Sequence, residues 1–306
     1  MSLRRFGSYT VEIKREDKVL FPGEEITKGD LLEYYETVSS AMLPHLADRP
    51  LTLQRFPDGV DEEGFFQKSV PDHFPDWIST VRVPLSDGGS QTQVMAGNQA
   101  TLVYLANQAA ITPHMWLSRK DDLSTPDRLV FDLDPAGEDY APVKEGARRL
   151  REMMEAVGLA AFFMTTGGSG GHVWCPIRRE AGFQEVRDFA EAVADFLAGE
   201  DPETFTREVR KEKRNGRLYL DVGRNAYGQT AVAPYSVRAR PGAPVATPLE
   251  WDELEDPNLS GRRYTLQSLP ERMTSKEDPW KGMGRRAGSL KRARREWRKW
   301  KEKGEN

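Results

Sequence analysis

An α+β fold is predicted for this 306-residue chain. Two features predict it. Apolar runs of strand length are bounded by turn residues, and longer stretches between them carry apolar residues at helical spacing. The alternation is clearest over residues 128–165, where an apolar strand, an amphipathic helix and a second strand follow one another in a βαβ-like unit whose strand order stays open.

Taken in order, residues 8–21 read as a strand and a turn. A helix then starts at Thr27, a capping residue, with Leu31, Leu32, Tyr35, Val38 and Met42 at helical spacing. Residues 50–67 read as extended segments around a Pro57-Asp58-Gly59 turn, and residues 97–110 as a helix. Residues 128–135 (RLVFDLDP) are a buried strand, 142–157 an amphipathic helix ended by Gly158, and 159–165 a strand. A glycine-rich turn over 166–171 leads into a strand at 172–177. A helix at 183–198 and a strand at 217–222 follow. Residues 228–248 are extended and rich in proline and glycine. Past Pro270 the composition turns polar and basic, and residues 288–303 read as helical with Trp297 and Trp300 three apart.

The length fits one large domain or two small ones, and 38% hydrophobic with 30% charged residues suffices for a core. No run approaches the roughly 18 apolar residues of a membrane span. The N-terminus lacks a signal peptide's apolar stretch. Cys175, the lone cysteine, can form neither an internal disulfide nor a paired-cysteine metal site. A cytoplasmic protein without membrane contact is therefore expected. The net charge of −4 argues against a histone-like coat on DNA, but it divides unevenly: residues 281–306 carry about +8 and the remainder about −12. An acidic body with a basic tail suits an enzyme that holds metal ions and touches a polyanion; a solvated basic helix is the plainer alternative.

Asp132 and Asp134 fall on one face of their strand, because strand side chains alternate. Two neighbouring buried carboxylates repel unless a cation neutralises them, and hard oxygen ligands suit Mg²⁺ or Mn²⁺. Asp221, after the apolar run Leu218-Tyr219-Leu220, offers a third acid, and three such acids can hold two metals for in-line phosphoryl transfer. Alone, an Asp-x-Asp also occurs in glycosyltransferases and in salt-bridged cores. The turn Thr165-Thr-Gly-Gly-Ser-Gly-Gly-His172 could bring backbone amides, Ser169 and His172 to phosphate oxygens. It is neither a P-loop nor a dinucleotide fingerprint, and a hairpin with a structural histidine is the alternative. Arg214, Arg217, Arg224, Arg238 and Arg240 could offset the charge of a triphosphate, or line a solvated face.

These blocks in this order resemble the polymerase domain of bacterial ligase D, of the archaeo-eukaryotic primase superfamily. The resemblance runs over residues 15–270. It includes Asp17-Lys-Val-Leu-Phe-Pro, Asp48-Arg-Pro-Leu-Thr-Leu and Phe65-Phe66-Gln-Lys68 upstream, and GQTAVAPYSVRARPGAPVATPLEW downstream. It implies a primase-polymerase fold whose central mixed β-sheets carry the catalytic acids and are flanked by helices. It implies a catalytic domain over 1–280 and a basic tail over 281–306. It further implies Asp132, Asp134 and Asp221 as catalytic ligands of two Mn²⁺ or Mg²⁺ ions. His114, His172 and Arg214 would bind nucleotide, joined by Ser169, Arg238 and Arg240 from the residue readings above; Lys18 and Lys28 would bind the 5′-phosphate of a downstream strand, and Phe65 and Phe66 would stack on template bases. The activity implied is templated addition of NTP or dNTP to a primer 3′ end in non-homologous end joining, on DNA with gaps or broken ends, with Ku and a separate ligase as partners. De novo priming, phosphohydrolysis and non-catalytic end bridging are the alternatives. Two departures stand out. Ser169 replaces the lysine that usually follows the first glycine pair of the turn, and Gly171 replaces a leucine. Gln54 and Val222 also differ, and no ligase K-x-D-G motif or histidine-rich nuclease segment is present. A stand-alone polymerase is expected.

Overall fold

The computed structural model describes residues 2–85 and 87–304, so the last two residues of the expected tail lie outside it. The chain forms two compact units. The first comprises residues 1–121, 230–247 and 264–278; the second comprises residues 122–229, 248–263 and 279–306. The 281–306 segment expected as a tail therefore clusters with the second unit. Among the described residues, no helix is long and apolar enough to cross a membrane.

In the first unit, α1 (Lys28–Leu46) starts where the capping residue predicted: the Thr27 hydroxyl accepts from Asp30 N, and the Asp30 carboxylate accepts from Thr27 N. The apolar face of α1 buries Leu31, Leu32, Tyr35, Val38 and Met42. β1 (Leu51–Arg55), β2 (Phe65–Gln67), α2 (Gln99–Asn107) and β3 (Ala110–Trp116) follow. The short strand Thr230–Val232, β3, β1 and β2 form a four-stranded sheet in that order, with β2 at one edge. Two expectations change here, and one strand was not foreseen. The 8–21 segment forms two short strands, Tyr9–Ile13 and Val19–Phe21, rather than one. The 97–110 helix is shorter, with Asn98 as its cap: Thr101 N donates to Asn98 Oδ1 at 2.8 Å. After Ala109, at φ +55°, the chain turns into β3, a strand that Thr112-Pro113-His114 disguises in the sequence.

The second unit is built on a six-stranded sheet. Its elements are β4 (Arg128–Asp134), α3 (Ala141–Ala156), β5 (Phe162–Thr165), β6 (Gly171–Pro176), α4 (Phe183–Glu200), β7 (Phe205–Thr206), β8 (Leu218–Asp221) and β9 (Pro248–Leu249). α5 (Leu290–Gly304) closes the unit. The order across the sheet is β7-β8-β4-β6-β5-β9. β6 is antiparallel to both β4 and β5, so the βαβ unit is split by a third strand inserted between its own two. Within this sheet β7 and β8 pair in parallel, so the sheet is mixed. α3 packs closely on one face: a Cβ at Gly146 would stand 2.9 Å from Leu218 Cδ2 and 3.7 Å from Leu133 Cδ1. That face is apolar, and the carboxylates of β4 alternate onto the other.

Candidate active site

The pairing register assembles the acids. Asp132 on β4 lies opposite His172 on β6 and opposite Asp221 on β8. Directly opposed residues put their side chains on the same face, so His172, Asp132 and Asp221 form one row across three strands. Asp134, two residues along β4, shares that face. Oxygens of Asp132, Asp134 and Asp221 all lie within 4.8 Å of one another. Asp132 is buried, and the other two are half-buried.

Each acid is held differently. His172 Nε2 lies 3.3 Å from Asp132 Oδ1, and Arg224 Nε lies 3.4 Å from Asp132 Oδ2. Burial alone would raise the Asp132 pKa, but His172 and Arg224 outweigh it and hold the carboxyl below the usual range. Asp221 Oδ1 accepts from Gly223 N at 2.7 Å. The Asp134 carboxyl is pushed up to about 6, first by burial and then by repulsion from Asp132 and Asp221. The cluster thus has Arg224 and the His172 ring against Asp132 and a surplus of negative charge at Asp134. A set of carboxylate oxygens, converging and short of positive charge, fits a divalent cation.

His172 is buried, and its Nδ1 has no hydrogen-bond partner among the described residues. Arg214 is buried with its guanidinium 4.3 Å from the centre of the Tyr219 ring, and it donates to the carbonyls of Glu208 (3.1 Å) and Val209 (2.9 Å). Its charge lowers the Asp134 pKa against the other influences. An open groove of about 720 Å³ runs beside the end of β4, between residues 135–142 and residues 211–218.

The glycine-rich turn is held from within. The Thr166 hydroxyl donates to Gly170 O (3.1 Å) and accepts from Gly168 N (3.2 Å), while Tyr140 Oη donates to Gly170 O at 3.2 Å. Gly170 and Gly171 serve close packing: a Cβ at Gly170 would meet Leu133 O at 2.1 Å, and one at Gly171 would meet the Phe163 ring at 2.6 Å. Phe163 fills the space that a side chain at position 171 would occupy. Ser169, at the tip, is exposed.

The remaining expected site residues belong to the first unit. His114 sits on β3 opposite Thr52 and Val232, with its ring 5.7 Å from that of Phe66. Phe65 and Phe66 are 47% and 59% exposed, both open to solvent because β2 is an edge strand. Arg55 lies 5.4 Å over the Phe65 ring. Lys18 pairs with Asp58 at 2.7 Å. Lys28 is buried with Nζ 3.4 Å from Asn107 O, and its pKa is lowered by burial and then by Arg15 and Lys18 nearby. Arg238 is half-buried and Arg240 exposed. Gly223, which orients Asp221, was missed in the sequence, although its place two residues after the acid was a usable signal.

Residues 27–280 match the family model described as LigD, primase-polymerase domain. The multifunctional non-homologous end joining protein LigD of Mycolicibacterium smegmatis is 33% identical over 257 residues, which is 83% of this chain and 34% of that protein. The bifunctional non-homologous end joining protein LigD of Bacillus subtilis is 30% identical over 266 residues, 86% of this chain and 42% of that one. The chain therefore spans between a third and under half of the length of these curated relatives. Among solved structures, the polymerase domain from Mycobacterium tuberculosis ligase D in complex with DNA matches with a TM-score of 0.85 at 32% identity, covering 90% of this chain and 99% of that one. With the acid row, the mixed sheet and these likenesses together, this chain belongs to the LigD primase-polymerase domain family.

Proposed function

We propose that this chain is a metal-dependent, template-directed nucleotidyltransferase that adds nucleotides to a primer 3′ end, filling gaps and extending ends during repair of broken DNA by non-homologous end joining. The convergence of Asp132, Asp134 and Asp221 within 4.8 Å supports this reading most directly. The three carboxylates would hold two Mn²⁺ or Mg²⁺ ions, which when bound supply activation of the primer 3′-hydroxyl and charge neutralisation on departing pyrophosphate.

The protein's own part is positioning and electrostatics. His172 and Arg224 keep Asp132 ionised and fixed, and the hydrogen bond from Gly223 N orients Asp221. His172 Nδ1 is left for a polar atom of the substrate. Arg214, anchored on Tyr219 and two carbonyls, contributes positive potential toward the triphosphate without needing to move. In the first unit, Arg15, Lys18 and Lys28 make a cationic cluster suited to a 5′-phosphate; burial first, and then Arg15 and Lys18, lower the Lys28 pKa. Phe65 and Phe66 offer exposed rings for template bases. In the first unit, His114, Arg238 and Arg240 are proposed as nucleotide-contacting residues. Ku and a DNA ligase are the partners proposed with this reading.

The test is primer extension on a gapped duplex with a downstream 5′-phosphate, comparing Mn²⁺ with Mg²⁺ and NTPs with dNTPs. Templated addition that disappears in Asp132→Ala/Asp134→Ala is expected. Release of phosphate in place of pyrophosphate would instead identify a hydrolase, and DNA binding without addition under any metal would leave an end-bridging role.

A further inference from the structure

The glycine-rich turn has no cation of its own, since Ser169 stands at its tip. Another segment passes against it. A Cβ at Gly261 would lie 2.4 Å from Gly168 O and 2.8 Å from Ser169 C, an approach only glycine permits. This approach brings Ser260, Gly261 and Arg262 to the wall of a small cavity shared with Gly168 and Ser169. The cavity is about 60 Å³, room for a few waters or one phosphate group and far too small for a nucleoside.

Three features suit it to an anion. Arg262 is exposed, and its side chain makes no hydrogen bond or ion pair among the described residues. The amides of Ser169 and Gly170 donate to no protein acceptor among those residues. Consecutive free amides at a glycine-rich turn form a concavity for phosphate oxygens, and a guanidinium matches them with paired donors. The position is also right for the chemistry. A Cβ at Gly170 would meet Leu133 O at 2.1 Å and Pro135 Cδ at 3.5 Å, so the turn lies over the two residues that flank Asp134. Glu138 lines the same cavity and is the one acid there that opposes an anion.

We propose that Arg262, with the Ser169 hydroxyl and the Ser169 and Gly170 amides, forms a phosphate subsite for the tail of the incoming nucleoside triphosphate, supplying the charge that the turn lacks. The proposal rests on the nucleotidyltransferase reading above. Neither residue periodicity nor any motif marks Arg262; only the close approach of Gly261 brings it to the turn.

The test uses the full chain with Mn²⁺. Binding of a fluorescent nucleoside triphosphate is titrated by anisotropy, nucleoside monophosphate is measured as a competitor, and KM and kcat are measured in primer extension. Arg262→Ala is expected to weaken triphosphate binding and raise KM about tenfold, with kcat and monophosphate affinity changed less than about twofold. Ser169→Lys added to Arg262→Ala should restore most of the loss by returning a cation to the turn. Unchanged triphosphate affinity in Arg262→Ala, or an equal loss for monophosphate, would overturn the subsite. If the parent chain extends primers while Arg262→Ala keeps its KM, only the subsite fails. If the parent neither binds triphosphate nor extends primers, the nucleotidyltransferase reading fails and the subsite with it.

Discussion

Asp132 and Asp134 sit two residues apart on one strand, yet their surroundings push them in opposite directions. His172 and Arg224 keep Asp132 ionised, whereas Asp134 has burial and two carboxylates against its charge and is pushed up to about 6. An Asp in an unfolded chain titrates near 3.9. A raised folded value means that the folded state binds the proton more tightly. The stability this contributes is complete below about pH 4 and disappears as pH rises through about 6. In the proposed metal site, a divalent cation would take over the proton's role above that range. In EDTA, the thermal midpoint is therefore expected to fall between pH 5 and pH 7 by more in the parent chain than in Asp134→Asn. Mn²⁺ should raise it more at pH 7.5 than at pH 5. Identical pH profiles for parent and variant would show that Asp134 is not under this strain.

The turn between β5 and β6 shows how one element can serve packing besides the role its sequence suggests. Its glycines suggest phosphate contact, and some of them instead let the chain pack: Gly170 lies on the Leu133 carbonyl and Gly171 on Phe163. Gly170→Ala would place a methyl 2.1 Å from that carbonyl oxygen. Backbone cannot yield as a flexible side chain does, so a loss of more than about 2 kcal/mol in denaturant unfolding is expected. Displacement of β4 should lower extension activity as well. A variant as stable as the parent would mean that the turn relaxes freely. The start of α1 offers a milder comparison. Thr27→Ala removes the acceptor for Asp30 N and should cost about 1 kcal/mol. Since Lys28 follows directly, the same variant should weaken the contact with a downstream 5′-phosphate proposed for Lys28.

Charge is divided along the whole chain between an acidic body and a basic end. In the second unit, α5 buries Leu290, Ala293 and Trp297, with the Trp297 ring 5.4 Å from that of Phe196 on α4. Its basic residues Lys291, Arg292, Arg295, Arg298 and Lys299 are exposed. They recur at i, i+1, i+4, i+7 and i+8, a single helical face. The helix lies beyond the 27–280 span of the family match. A basic stripe of this kind suits a DNA backbone. Charge reversal at Lys291, Arg292 and Arg298 is expected to weaken DNA binding at low salt. It should also make the slope of log K against log salt shallower by roughly 2–3, about 0.9 for each phosphate that is no longer neutralised. An unchanged slope would leave α5 as a solvated helix that merely covers α4.

Much of this was legible in local sequence. The Thr27 cap, the apolar stripe of α1, the strand around Asp132 and Asp134, the helix ending at Gly158 and the breadth of the family resemblance all rest on periodicities and turn chemistry that act within a few residues. The insertion of β6 between β4 and β5 was not legible. Neither were the register that sets Asp132 against both His172 and Asp221, the strand hidden in Thr112-Pro113-His114, and the approach of Gly261 to the turn. Strand order and register come from burying one face of each strand against distant partners, and a slip of one residue would carry every side chain to the opposite face. The three acids were visible as residues. Their meeting within 4.8 Å, with one held ionised and another pressed toward its protonated form, comes from the packing of segments far apart in the chain.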